Sequence, residues 1–384
     1  MRIGFDAKRA FQNSTGLGHY SRTLLSSLAY HYPANEYYLF APKATSRFAT
    51  AGSPFKIVTP NRFPYNLLSS AWRSRGVVQD LKKNQIELYH GLSHELPIGI
   101  QSSGIVSVVT IHDLIFERFP HQYKKIDVLI YRQKFKHACR HANRIIAISQ
   151  QTKDDLVNLY HVPADKIEVC YQSCDESFAT PVAAAQKEKI QKLYDLPPRY
   201  FLSVGSIIER KNLLTICKAM LRLKDSLQIP LVVIGNGGPY KQQVKQFIQA
   251  NNLQGRIIFL SDHAEACSND GFKSSAHFPA IYQMAEALIY PSFFEGFGIP
   301  ILEALSSAVP VITSNVSCMP EAGGDAAAYI NPYDADTLAY TMEAIANDKE
   351  MAAGMVTRGL AHAASFSNSK TAAAVMQVYK KLVP

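Results

Sequence analysis

The stretch Tyr290-Pro-Ser-Phe-Phe-Glu-Gly-Phe-Gly-Ile-Pro-Ile-Leu-Glu303 carries three structural signals in succession. The apolar run Ala287–Tyr290 reads as a short buried strand that stops at Pro291. Gly296 and Gly298 then open a loop, and a helix is expected from about Ile299, with Pro300 in its first turn, where a missing N–H costs little. That order presents free backbone N–H groups and the positive end of a helix dipole to an anion such as a diphosphate. Glu295 precedes the helix and Glu303 lies within it; a fully helical path would separate them by about 12 Å. Read alone, the two carboxylates either grip hydroxyls at both ends of a sugar nucleotide or are ordinary loop and helix-surface residues.

Outward from this stretch, strands and helices alternate through all 384 residues. The first half offers apolar runs at Arg2–Asp6, Tyr37–Ala41, Phe55–Thr59, Glu87–His90, Ile105–Ile111, Arg144–Ile148 and Ile167–Tyr171. Helical spacing appears between them, as in Tyr20, Leu24 and Leu28, and Ser149 stands where an N-cap belongs. The pattern restarts at Tyr200–Val204, Leu231–Ile234, Arg256–Leu260, Ala287–Tyr290, Val311–Thr313 and Ala327–Ile330. Buried strands separated by helices predict parallel sheets covered on both faces. The expected fold is α/β, two Rossmann-like doubly wound domains, with a ligand cleft between them at the carboxyl ends of the strands. Residues 1–175 form the first domain in this reading and 176–365 the second. A final helix in 366–384 is expected to cross back to the first.

Charge is uneven along the chain. Residues 1–170 hold 22 Lys/Arg against 12 Asp/Glu, whereas residues 171–384 hold 18 against 19, so the net +9 belongs to the first half. A one-sided field of this kind either favours an anionic partner or is a solubilising surface. Two patches mix cations with aromatics. Arg118–Arg144 has eight Lys/Arg and one acid, Asp127, with Tyr123, Tyr131 and Phe135 interleaved; Arg62–Arg75 holds the sole tryptophan, Trp72. They suit either peripheral contact with an anionic membrane or ordinary helices with solvated cations and core aromatics. No nucleic-acid-binding module is present in the sequence. The six cysteines lack regular spacing, a charge arrives too early for a signal peptide, and no long apolar span occurs. A cytoplasmic protein is expected, peripheral at most on the inner face of the cytoplasmic membrane.

Glu295-Gly-Phe-Gly-x4-Glu303 resembles the E-x7-E element of retaining GT-B glycosyltransferases of family 4, group 1. Other stretches resemble family elements in the expected order. They are Gly4–Asp6 with Thr15-Gly-Leu-Gly-His-Tyr20, Thr110-Ile-His-Asp113, Val204-Gly-Ser-Ile-Ile-Glu-Arg-Lys-Asn212, Met319-Pro-Glu-Ala-Gly-Gly-Asp325 and Pro332-Tyr-Asp334. The resemblance covers nearly the whole chain. It implies a hexosyltransferase using a nucleotide-sugar donor, bound by the second domain, and a glycan or lipid-linked acceptor, bound by the first, in cell-envelope polysaccharide synthesis. Glu209–Leu213 is similar to mannosyltransferases, which favours GDP-mannose over a UDP-sugar.

By this resemblance Glu295 binds donor-sugar hydroxyls, Glu303 the ribose, and backbone groups of Phe297, Gly298 and Ile299 the diphosphate and sugar. Arg210 and Lys211 neutralise the leaving diphosphate, so no metal or other cofactor is required. Many relatives carry Arg after the strand glycine, Gly205, where this chain has Ser206; Arg210 is expected to supply that charge. His112, at a strand's carboxyl end, reads by itself as a structural hydrogen-bonder, whereas the resemblance places it at the donor sugar. Gly16 and Gly18 are expected in a loop before a helix, approaching donor phosphate or acceptor, with His19 beside them. Gly235 and Gly237, followed by Phe259–Asp262, are expected to meet the nucleobase. His263–His277 is read as an irregular surface loop. A same-fold epimerase, a sugar phosphorylase and a non-catalytic nucleotide-sugar-binding module are the rival readings.

Overall fold

The computed structural model describes residues 1–13 and 15–383. They form two compact units, Met1–Ser173 together with the chain from Asn368 on, and Cys174–Ser367. The division thus falls at 173/174 and 367/368, two residues from each boundary set from sequence.

In the first unit seven strands, β1 (Arg2–Asp6), β2 (Glu36–Phe40), β3 (Phe55–Val58), β4 (Leu88–Gly91), β5 (Val106–Ile111), β6 (Arg144–Ala147) and β7 (Ile167–Val169), pair in parallel. Their order is β3-β2-β1-β4-β5-β6-β7. Side chains alternate across a strand, so each run feeds two cores. Ile3, Phe5, Tyr37, Leu39 and Val108 enter one; Tyr38, Phe40, Val109, Ile111 and Ile145 enter the other. Because both faces are covered, the strands read in sequence as unbroken apolar runs. The helix Asn368–Leu382 buries Thr371, Ala372, Val375, Met376 and Tyr379 against the first of these cores, beside the helix Gly16–His31. Tyr379 and Thr110 hold the two ring nitrogens of His90.

The second unit has β8 (Phe201–Val204), β9 (Leu231–Ile234), β10 (Ile257–Phe259), β11 (Ala287–Tyr290), β12 (Val311–Ser314) and β13 (Ala328–Ile330), again all parallel. Their order is β10-β9-β8-β11-β12-β13. In both sheets the strand order reverses once, between β1 and β4 and between β8 and β11. The loops leaving those strands form the crevice where doubly wound sheets take ligands.

Two local expectations are corrected and one open alternative is decided. Gly16 and Gly18 lie in the first turn of the helix Gly16–His31, not in a preceding loop. Residues 263–277 contain two short helices, Ala264–Ser268 and Asp270–Lys273, capped in part by the Asn269 side chain. Of the two readings open for the aromatics of Arg62–Arg75, Trp72 takes the core one: it is buried and its indole N–H donates to Asp80 at 2.7 Å.

Candidate active site

The sequence that decides the fold also builds the second unit's ligand edge. β11 ends at Tyr290, and the helix Ile299–Ser306 begins after Gly298, which caps it at φ +103°, a conformation that favours glycine. Ile301 N–H donates to Gly298 O, while the helix's opening N–H groups, that of Ile299 among them, have no intrahelical acceptor. The loop after β8 reaches across to this segment. Asn212 adopts the left-handed conformation and caps the next helix; its side-chain amide donates to Pro291 O at 3.0 Å and Pro332 O at 2.6 Å. Ser314 donates to Ser292 O. The loops after β8, β11 and β13 and the end of β12 are thereby tied together. Gly235 presses so closely on the β8 loop that a Cβ would lie 1.9 Å from Gly205 O, and Gly237 packs on the Ile207 carbonyl in the same way.

At the centre lies Glu295, 8% exposed. Arg210 meets one carboxylate oxygen at 2.7 Å and Lys211 the other at 3.0 Å. The second oxygen also accepts from Tyr290 at 2.9 Å and Ser292 at 3.0 Å. Lys211 in turn donates to the Tyr290 hydroxyl at 2.6 Å. Burial pushes the Glu295 pKa up, but Lys211 and Arg210 outweigh it and bring it down to about 2. The carboxylate is therefore ionised at neutral pH, a strong hydrogen-bond acceptor and a weak base.

Glu303 sits differently. It is half-buried on the helix, and the fully buried Tyr282 donates to it at 2.6 Å. Burial pushes its pKa up to about 7, against the lowering pull of Tyr282 and Lys211. Phe297 is buried with its ring 5.7 Å from that of Phe366. The five residues Arg210, Lys211, Glu295, Gly298 and Ile299 thus share one edge, with Glu303 within electrostatic reach of Lys211. After β10, Asp262 is engaged by Lys241 and Lys245.

His112, Gly16 and Gly18 belong to the first unit. His112 is buried; its Nε2 donates to Leu92 O at 2.9 Å, so Nδ1 of the neutral ring accepts from Gln172 at 3.3 Å. Burial first, then His94, brings its pKa down to about 3. Gly18 packs so tightly that a Cβ would lie 2.0 Å from Asn13 O, whereas Gly16 faces open space. Sequence reasoning did not single out Tyr290, Ser292 or Tyr282. A tyrosine closing a buried parallel strand at its ligand edge was the available signal for Tyr290; Tyr282 offered none. Among the described residues no three His, Cys, Asp or Glu side chains are grouped to hold a metal.

A model described as "Glycosyl transferases group 1" matches residues 184–361, and one described as "Glycosyltransferase Family 4" matches residues 16–178. The chain belongs to the family 4, group 1 glycosyltransferases. This glycosyltransferase is 27% identical to O-antigen chain mannosyltransferase B of Escherichia coli over the full length of both chains. Its fold matches that of a glycosyltransferase from Rickettsia africae with a TM-score of 0.76 at 18% identity, covering 100% of this chain and 98% of that one. It also matches Anabaena HepE, solved in complex with UDP-glucose, with a TM-score of 0.74 at 16% identity over 99% and 100%. The chain is thus a GT-B enzyme.

The two carboxylates give opposite pH signatures. Glu303 has a folded pKa above its ordinary value of 4.5, so the stability it lends is full below 4.5 and is lost as pH rises through about 7. Glu295 has a folded pKa below 4.5, so its contribution is present above 4.5 and lost as pH falls through about 2. Chemical denaturation from pH 4.5 to 7 should show wild type losing stability relative to Glu303→Gln; parallel curves would contradict the assignment.

Proposed function

We propose that this glycosyltransferase moves a hexosyl unit, mannose from GDP-mannose foremost, to a glycan or lipid-linked acceptor with retention, in cell-envelope polysaccharide synthesis. The observation that carries the reading is the Glu295–Arg210–Lys211 cluster beside the N-terminus of the helix Ile299–Ser306. An ionised carboxylate accepts from donor-sugar hydroxyls, while two cations and a helix N-terminus favour the charge that develops on a departing diphosphate. Gly205, Gly235 and Gly237 allow the neighbouring loops to approach the nucleotide. Glu303, with Tyr282 fixing its rotamer, suits the ribose. The mannosyl preference is supported by the similarity over the full length to the E. coli mannosyltransferase.

In the reaction the bond from the anomeric carbon to the phosphate oxygen breaks and one to the acceptor oxygen forms on the same face. The acceptor's proton passes to the departing phosphate. A carboxylate with its pKa near 2 is a poor covalent nucleophile, which favours this route over a glycosyl-Glu295 intermediate. His112, with both ring nitrogens engaged, would meet the donor sugar after exchanging a partner for a sugar hydroxyl. The cationic cluster supports turnover without a divalent ion.

Peripheral contact with an anionic bilayer on the cytoplasmic side belongs to the same reading. The helix Lys125–His141 exposes Ile126, Leu129, Ile130 and Tyr131 among the exposed cations Lys124, Lys125, Arg132 and Lys136, and Phe63, Leu67 and Leu68 are exposed on the same unit. Apolar side chains ringed by cations fit an anionic lipid surface. No helix among the described residues is long and apolar enough to cross a membrane.

A thermal-shift screen with GDP-, UDP- and ADP-sugars tests the donor. GDP-mannose at a hundredfold excess over its dissociation constant should stabilise by about 2.7 kcal/mol. Lys211→Ala should lower turnover about tenfold or more, and a chelator should leave wild-type turnover unchanged. A shift with UDP-sugars alone would move the donor assignment. Release of nucleoside diphosphate without an acceptor, or a requirement for inorganic phosphate, would favour the rival chemistries. In flotation assays, phosphatidylglycerol vesicles should retain wild type and lose an Ile126→Ser/Leu129→Ser/Ile130→Ser variant. Equal recovery would sink the membrane contact.

A further inference from the structure

A line of hydrogen bonds runs through the first unit's core from the C-terminal helix to His112. Tyr379, on the helix Asn368–Leu382, meets Nδ1 of His90 in β4 at 2.5 Å. Nε2 of the same ring meets the Thr110 hydroxyl in β5 at 2.8 Å. That hydroxyl meets the hydroxyl of Tyr20, on the helix Gly16–His31, at 3.1 Å. His90, Thr110 and Tyr379 are shut off from solvent, and Tyr20 is 7% exposed. The line reaches His112 by two routes. Thr110 lies two residues before it, at the carboxyl end of β5, and the Tyr20 and His112 rings meet edge to face with centroids 4.6 Å apart.

Four polar side chains in a core are costly unless each is satisfied, and apolar residues of similar size would fill the space without that requirement. What the hydrogen bonds add is a single arrangement. Burial, and then His112, brings the His90 pKa down to about 3, so its ring is neutral. A neutral imidazole donates from one nitrogen and accepts at the other, so one of the Tyr379 and Thr110 hydroxyls donates to the ring while the other accepts from it. Two strands and two helices are thereby pinned at one point. The consequence falls on His112, whose own partners, Leu92 O at 2.9 Å and Gln172 at 3.3 Å, are open to exchange. Once a sugar hydroxyl replaces one of them, the ring's rotamer depends on the side chains packed against it. Tyr20 and His94 are so placed, and the line anchors Tyr20.

We propose that Tyr379, His90, Thr110 and Tyr20 are positioning residues for the transfer step: on the glycosyltransferase reading above, they hold the His112 ring against the donor sugar while its hydrogen bonds exchange.

Histidine ¹⁵N NMR on the full chain without substrate reads the ring directly, with His112 assigned by the signals lost in His112→Asn. Wild type should show His112 protonated at Nε2 and not at Nδ1. Tyr379→Phe and Thr110→Val each delete one hydroxyl of the line and should shift or broaden the His112 signals. Thr110→Ser keeps the hydroxyl and should retain the wild-type positions, and His362, in the second unit, should stay unmoved throughout. With GDP-mannose as donor and octyl α-D-mannopyranoside as acceptor, both hydroxyl deletions should lower kcat about tenfold and leave the donor KM unchanged. Thr110→Ser should keep most of the wild-type kcat. Each variant is assayed well below its own melting midpoint, so that unfolding does not contribute. His112 signals identical to wild type in both deletions, wild-type kcat in both, or equal losses in Thr110→Ser and Thr110→Val would overturn the proposal. The NMR measurement contains no nucleotide sugar, so it can fail while the donor screen succeeds, and the reverse.

Discussion

A single buried carboxylate organises the second unit's ligand edge. Glu295 alone would be costly to bury; Arg210 and Lys211 offset that cost, and they come from a different strand's loop. The loops after β8 and β11 must therefore close on each other before the charge is satisfied. Asn212 extends the same constraint to the loop after β13 through its bonds to Pro291 and Pro332. The result is a site whose charged groups are positioned by packing and second partners such as Tyr290 and Ser292, a condition for selective stabilisation of developing charge.

The two units share a topology but place different charge at the point where strand order reverses. In the second, two cations outnumber Glu295 and a helix N-terminus adds to their field, which suits a diphosphate. In the first, Arg73 pairs with both Asp6 and Glu95, and Lys134 with Glu95, in a closed ion-pair network. One fold thus places different charged groups at equivalent points, and the difference lies in a handful of loop residues.

Much of the architecture was readable because parallel strands buried on both faces leave apolar runs too regular to miss. All thirteen runs identified in the sequence overlap an observed strand, with differences of at most two residues at their ends. The E-x7-E spacing and the Arg210–Lys211 pair were legible for the same reason: they flank such runs. The partners of those residues were not. Tyr282 reaches Glu303 from a helix twenty-one residues earlier, and Arg73 reaches Asp6 across sixty-seven, so neither pair leaves a local pattern. For Trp72 the surface and core readings stood open because composition does not reveal which face of a turn is covered. Residues 263–277 looked irregular because their helices are too short to show a period.

The central claim is that Lys211, Arg210 and the N-terminus of the helix Ile299–Ser306 receive the diphosphate directly. A crystal structure of the chain with GDP, grown in the presence of magnesium, tests it most directly. The account predicts the terminal phosphate within hydrogen-bond distance of Lys211 Nζ and Ile299 N–H, with no ion between protein and phosphate. A diphosphate seated elsewhere, or joined to the protein through Mg²⁺, would contradict it.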